Sequence, residues 1–184
     1  MAQLDKFSGC TCCGEILAGR FSRRDVLRAA GGMAAFAVFQ PLANAATGHY
    51  EAMVLGCIDP RLQEPVAKYT AQQGLTGQYS QFVFAGAAIG AVAPAFKDWH
   101  QTFWDNLAAT IQLHNIKKVI AINHRDCGAA RIAYGDAAVA SAEAETETHR
   151  AALAEFRKQV TEKQAKLGVV TGLMSIDGKY DPLG

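Results

Sequence analysis

Apolar residues fall in short runs and periodic stripes along this chain, and their spacing predicts strands alternating with helices. Met53-Val54-Leu55-Gly56-Cys57 is an apolar run preceded by polar residues and followed by Pro60, which predicts a short buried strand. Asp59 and Pro60 suit the N-cap and first position of a helix running from Arg61 to Gln73, with Gly74 as its stop. Gln81-Phe82-Val83-Phe84 predicts a second strand, closed by Ala85-Gly86 and a loop of small residues reaching Pro94. From about Asp98 to His114, the recurrence of Trp99, Phe103, Leu107 and Ile111 every four residues predicts a helix that buries this stripe. Lys118-Val119-Ile120-Ala121-Ile122 predicts a third strand, and Gly128 to Tyr134 a helix or turn. Ser141 to Leu167, rich in Ala, Glu, Lys and Gln, predicts a long exposed helix with Leu153, Phe156, Val160 and Leu167 toward the body. Gly168 stops it, and Val169 to Ile176 predicts a last strand before an Asp177-Gly178 turn. Strands separated by helices pair in parallel, so the expected fold class is α/β, with a mostly parallel central sheet flanked by helices.

The first 45 residues do not follow this alternation. Ser22-Arg23-Arg24-Asp25-Val26-Leu27 precedes a weakly apolar run from Ala29 to Phe39, and Ala43-Asn44-Ala45 supplies a small-x-small cleavage pattern. A charged region, an apolar region and such a site compose a secretory signal. Arg23-Arg24, with Val26 and Leu27 behind them, resemble the twin-arginine type, which exports proteins already folded. The apolar run is too short, and too interrupted by Gly31 and Gly32, to span about 30 Å of hydrocarbon. The expected organisation is therefore a signal peptide over 1–45 and one domain over 46–184, exported to a bacterial periplasm without a stable membrane anchor after cleavage. An amphipathic helix that stays attached is the alternative.

Composition changes meaning once this leader is set apart. The whole chain of 184 residues is 50% hydrophobic and 19% charged, with a formal charge of +1. That balance describes a globular protein and gives no electrostatic case for a nucleic-acid partner. The leader holds five Lys/Arg and three Asp/Glu, so its removal leaves a net charge of −1. It also removes Cys10, Cys12 and Cys13, whose crowding suits one zinc ion poorly and which have no histidine before His49. Only Cys57 and Cys127 remain.

Both stand where chemistry is expected. In a parallel α/β sheet, sites form at the carboxyl ends of strands. Cys57 ends the first predicted strand, and His124 and Cys127 follow the third in Asn123-His124-Arg125-Asp126-Cys127-Gly128. Two thiolates and an imidazole are a standard zinc set, and three protein ligands leave a fourth position open. His-x-x-Cys in a tight turn lets both side chains face one ion, provided Cys57 arrives from a neighbouring strand. Alternatives stand beside this reading. Cys57 and Cys127 suit buried apolar thiols, or a disulfide in an exported protein. Asp59 serves equally as an N-cap alone, and Arg61 as a solvated residue of the first turn. Arg125 and Asp126 suit a local pair. His100 and His114 are outside candidates for proton shuttling, and His49 and His149 have no matching partners in sequence.

Cys57-Ile58-Asp59-Pro60-Arg61 and His124-Arg125-Asp126-Cys127-Gly128, each after an apolar strand and in this order, resemble the paired motifs of the β-class carbonic anhydrases. The resemblance covers roughly residues 52–134 and extends toward Ser175-Ile176-Asp177-Gly178. It implies a β-carbonic-anhydrase-like fold in which Cys57, His124 and Cys127 bind one Zn²⁺ per chain. That zinc lowers the pKa of its water to about 7 and makes hydroxide available for reversible hydration of CO₂ to bicarbonate. Asp59 would orient the hydroxide or swing onto the zinc and close it, and Arg61 would hold Asp59 ionised. A homodimer or higher homo-oligomer is implied as well. The same site suits hydrolysis of COS or CS₂, and a closed zinc suits a non-catalytic binding or sensing domain. The chain departs from the family pattern at Val83-Phe84, where Arg-Asn is common, and at Asn123, where Gly is common. A narrow apolar pocket near Phe82 or Phe84 is expected to receive the substrate.

Overall fold

A computed structural model describes residues 48–183. The leader, with Arg23, Arg24, Cys10, Cys12 and Cys13, lies outside the described residues.

Strand β1, Ala52–Gly56, is buried on both faces, as its unbroken apolar run requires. The chain then turns at Asp59, whose carboxylate accepts the backbone N–H of Arg61. Leu62 N donates to Asp59 O at 3.1 Å, so the expected helix opens as a 3-10 turn at Pro60–Leu62 before α1, Gln63–Gln72, continues it. Strand β2, Tyr79–Val83, begins two residues before the predicted start and leaves Phe84 beyond its end. Helices α3, Lys97–His114, and α4, Gly128–Tyr134, stand where the pattern placed them. Strand β3 spans Lys118–His124, so it extends through the candidate ligand. Helix α5, Ala142–Lys163, is capped by Ser141 and followed by β4, Gly168–Met174, and β5, Tyr180–Pro182.

The sheet order is β2-β1-β3-β4-β5, parallel except for β5, which returns antiparallel to β4. Alternate residues of β1 face different cores. Met53 and Leu55 pack with Phe103 and Leu107 of α3 and Leu153 and Phe156 of α5. Ala52 and Val54 pack with Leu62 and Val66 beside α1 on the other face. The result is a sheet between two helical layers, the expected fold class.

Three local expectations differ. The small-residue segment after Gly86 contains a fifth helix, α2, Ala88–Val92, wholly buried. Its residues carry no polar face, so no helical periodicity marks it, yet their small size lets the backbone pack closely. Trp99 is 40% exposed rather than buried. It lies on the first turn of α3 and covers Phe96, with parallel rings 4.3 Å apart, instead of reaching the sheet. Helix α5 ends at Lys163, before Leu167, and it buries two polar residues, Glu145 and His149, in what the sequence suggested was a solvated helix.

Candidate metal centre

Strand order reverses between β1 and β3, because the chain leaves β1 toward β2 and then crosses back to β3. A crevice opens at such a switch point, outside the carboxyl ends of the strands. Cys57 follows β1 there, His124 ends β3, and Cys127 caps α4. One ligand atom from each lies within 4.8 Å of the others. Cys57 and Cys127 are free thiols.

The donor set fits a metal ion. His124 Nδ1 lies 2.8 Å from the Arg125 carbonyl, which can only accept, so Nδ1 carries the proton and Nε2 keeps its lone pair. That Nε2 is buried and has no hydrogen-bond partner. Cys57 Sγ accepts the backbone N–H of Gly86 at 3.2 Å. The Cys127 thiol is the main cause that lowers Cys57 to about 4; His124 and backbone amides add to it, against burial. The neighbouring Cys57 sulfur and burial push Cys127 well up. Two sulfurs thus share one proton, and a divalent cation between them would displace it.

Beside Cys57, Asp59 and Arg61 form the expected dyad. Arg61 Nη2 donates to Asp59 Oδ2 at 2.7 Å and Nε to Oδ1 at 3.0 Å. This two-pronged pairing holds the Asp59 carboxyl at about 2. Asp59 is also the cap of the following turn, so one carboxylate serves both the cap and the ion pair.

Several contacts were not legible in the sequence. Arg125 and Asp126 do not pair with each other. Asp126 accepts from Arg61 Nη1 at 2.7 Å, while Arg125 Nη1 reaches Glu145 Oε2 at 3.2 Å. Glu145 Oε1 also accepts the Asp126 N–H at 2.6 Å. The turn backbone explains this: Asp126 takes φ 57, a conformation that Asp tolerates, and sends adjacent side chains apart. Asn123 donates its amide toward His149 Nδ1 and accepts the Ala88 N–H. His114 bonds Ser80 near the amino end of β2, at the sheet edge away from the crevice, and His100 bonds the Ala93 carbonyl. His114 is therefore not placed for proton shuttling at the ligand group. The pocket also differs from expectation. A cleft of about 500 Å³ beside Cys57 is lined by Gln81, Val83, Leu62 and Val66. Phe82 and Phe84 point to the opposite face and pack against Phe103.

This sheet, with a Cys/His/Cys group at its switch point, has the α/β fold of the β-carbonic anhydrases. The β-carbonic anhydrase CafA of Aspergillus fumigatus superposes with a TM-score of 0.52 at 16% identity, covering 94% of this chain and 90% of that one. One of two tetrameric β-carbonic anhydrases of Sordaria macrospora gives 0.50 at 15% identity, covering 94% of this chain and 97% of its own. A Coccomyxa β-carbonic anhydrase, solved with acetazolamide, gives 0.50 at 14% identity over 87% of this chain and 83% of that one. By sequence, the chain belongs to one family with two rickettsial proteins, both described as uncharacterized. That of Rickettsia bellii is 33% identical over 131 residues, 71% of this chain and 80% of its own length. That of Rickettsia conorii is 32% identical over 131 residues, 71% of this chain and 70% of its own. No family model matches the chain.

Proposed function

We propose that this protein is a zinc-dependent enzyme that hydrates CO₂ reversibly to bicarbonate. The observation that carries this reading is the convergence of Cys57, His124 and Cys127 within 4.8 Å, with the Asp59–Arg61 dyad two residues from the first ligand. The fold shared with β-carbonic anhydrases supports it.

In this reading Cys57 and Cys127 supply thiolates, and His124 supplies the lone pair of Nε2. Zinc held there would act as a Lewis acid and make hydroxide available near neutral pH. Asp59, kept ionised by Arg61, would accept a hydrogen bond from a hydroxyl held beside it and so orient that oxygen toward CO₂. Arg61 is itself fixed from its far side by Asp126, so the dyad stays oriented without substrate. The cleft beside Cys57 gives CO₂ a route to this oxygen. Exposed Ile58 and Val83 on its rim, with the edge strand β2 behind them, support assembly with a second copy of the chain.

The test is metal content together with CO₂ hydration of the purified protein. One zinc per chain and turnover at pH 7–9 are expected. Cys57→Ser and His124→Ala are each expected to lose both. Bound zinc with no turnover would replace the enzyme by a zinc-binding module, and turnover of COS alone would change the substrate.

A further inference from the structure

Asn123 stands one residue before the ligand histidine, on the buried strand β3, and is 1% exposed. A carboxamide in that position must satisfy both of its ends. Its Oδ1 accepts the backbone N–H of Ala88 at 3.0 Å, and its Nδ2 donates to Nδ1 of His149, also at 3.0 Å. Because Oδ1 faces a backbone donor, the orientation of the amide is settled, and His149 Nδ1 must be the acceptor. His149 is wholly buried on α5, and the protein offers its Nε2 no partner. An unpaired buried donor costs about 1–3 kcal/mol, so an apolar side chain would pack there at lower cost. The imidazole is therefore explained by what its other nitrogen holds.

What it holds leads to the metal centre. Asn123 anchors Ala88, the residue after Ala87, which takes φ 49 although it has a Cβ. Such a conformation persists only where surrounding contacts impose it. Before Ala87 comes Gly86, at φ 81, whose N–H donates to Cys57 Sγ. A Cβ on Gly86 would lie 3.0 Å from that of Ala129, so the turn is pressed against α4 on its other side. We infer that Asn123 and His149 are a positioning pair: through the Ala88 amide they pin the Gly86–Ala88 turn that hydrogen-bonds the Cys57 sulfur. The inference rests on the reading of Cys57, His124 and Cys127 as metal ligands. Neither residue touches the metal; each acts through the backbone that orients a ligand.

The experiment measures two quantities on the full chain. Zinc affinity is read by competition with a chelating dye, and hydrogen exchange of the Gly86 and Ala88 amides is read in metal-free protein. Asn123→Leu keeps the volume and removes both bonds. It should weaken zinc binding by about tenfold or more, in the range seen when groups that orient metal ligands are removed, and should speed exchange at Gly86. His149→Phe should do the same, whereas His149→Gln, whose carbonyl can accept from Asn123, should restore both. Val160→Ala, a cavity elsewhere on α5, serves as the stability control and should leave both unchanged. Wild-type zinc affinity and exchange in folded Asn123→Leu would overturn the inference. If Asn123→Leu does not fold, His149→Phe decides: matching His149→Gln in both readouts would overturn it. If the wild type binds no zinc, the metal reading fails by itself, and exchange at Gly86 still judges the pair.

Discussion

Asp59 carries two jobs on one carboxylate. Oδ1 accepts the Arg61 backbone N–H and so opens the turn before α1, while both oxygens face the Arg61 guanidinium. Substitutions separate the jobs. Asp59→Ala should keep zinc, lose about 1 kcal/mol of stability with the cap, and reduce CO₂ hydration by about a hundredfold or more. Asp59→Asn keeps an acceptor for the cap but loses the charged pairing with Arg61, so its stability should fall less than that of Asp59→Ala while turnover still falls. Full activity in Asp59→Asn would remove the ionised carboxylate from the mechanism. At this scale the Asp59–Arg61 and His124–Cys127 pairs were legible, because short spacings bring them together: Asp59 and Arg61 are two apart, His124 and Cys127 three. Asp126 and Glu145 were not, since their bonds join residues distant in the chain. Nothing local told Asp126 to choose Arg61, 65 positions away, over its neighbour Arg125.

Among the elements, α2 shows what small residues accomplish. A Cβ on Gly90 would lie 2.4 Å from the Ala85 carbonyl, backbone that cannot swing aside. Gly90→Ala should therefore cost stability despite the better helix propensity of Ala, because it pushes α2 off the Gly86 turn. A lower urea midpoint together with weaker zinc binding is the expected pair of results. A stabilised Gly90→Ala would show that the turn relaxes freely. Helix α5 makes a related point. Its core stripe of Leu153, Phe156 and Val160 was legible from spacing, but Glu145 and His149 are buried among the same turns. Their burial follows from what β3 and its turn present to them: Arg125 and the Asp126 amide to Glu145, and Asn123 to His149.

For the whole molecule, burying His149 couples folding to pH. Burial, with repulsion from His124 and Arg125, lowers it from 6.5 to about 4. Between those values the unfolded chain binds the proton and the folded one does not, so stability rises with pH across this window and falls as pH drops. Urea unfolding of metal-free protein should show a midpoint that increases from about pH 4 to pH 6.5. His149→Gln should flatten that slope; an unchanged slope would assign it to other groups. Export is a second property of the whole chain. We propose that Arg23 and Arg24 direct the folded protein outward, so replacing both with Lys should retain it in the cytoplasm. Unchanged export, followed by fractionation, would defeat the twin-arginine reading.

The sequence by itself determined the alternation of strands and helices, the His124–Cys127 spacing and the Asp59–Arg61 pair, because each depends on periodicity or on neighbours a few residues apart. Only the tertiary structure decided which strands lie side by side and where their order reverses, and hence that Cys57 meets His124 and Cys127 across a crevice. It also decided which polar groups are buried together around that crevice: Glu145 with the Asp126 amide, and Asn123 with His149. Those pairings are imposed by the packing of α2 and α5 on the sheet, since a buried donor or acceptor must find a partner in whatever the fold brings near it. Local pattern carries no record of that choice.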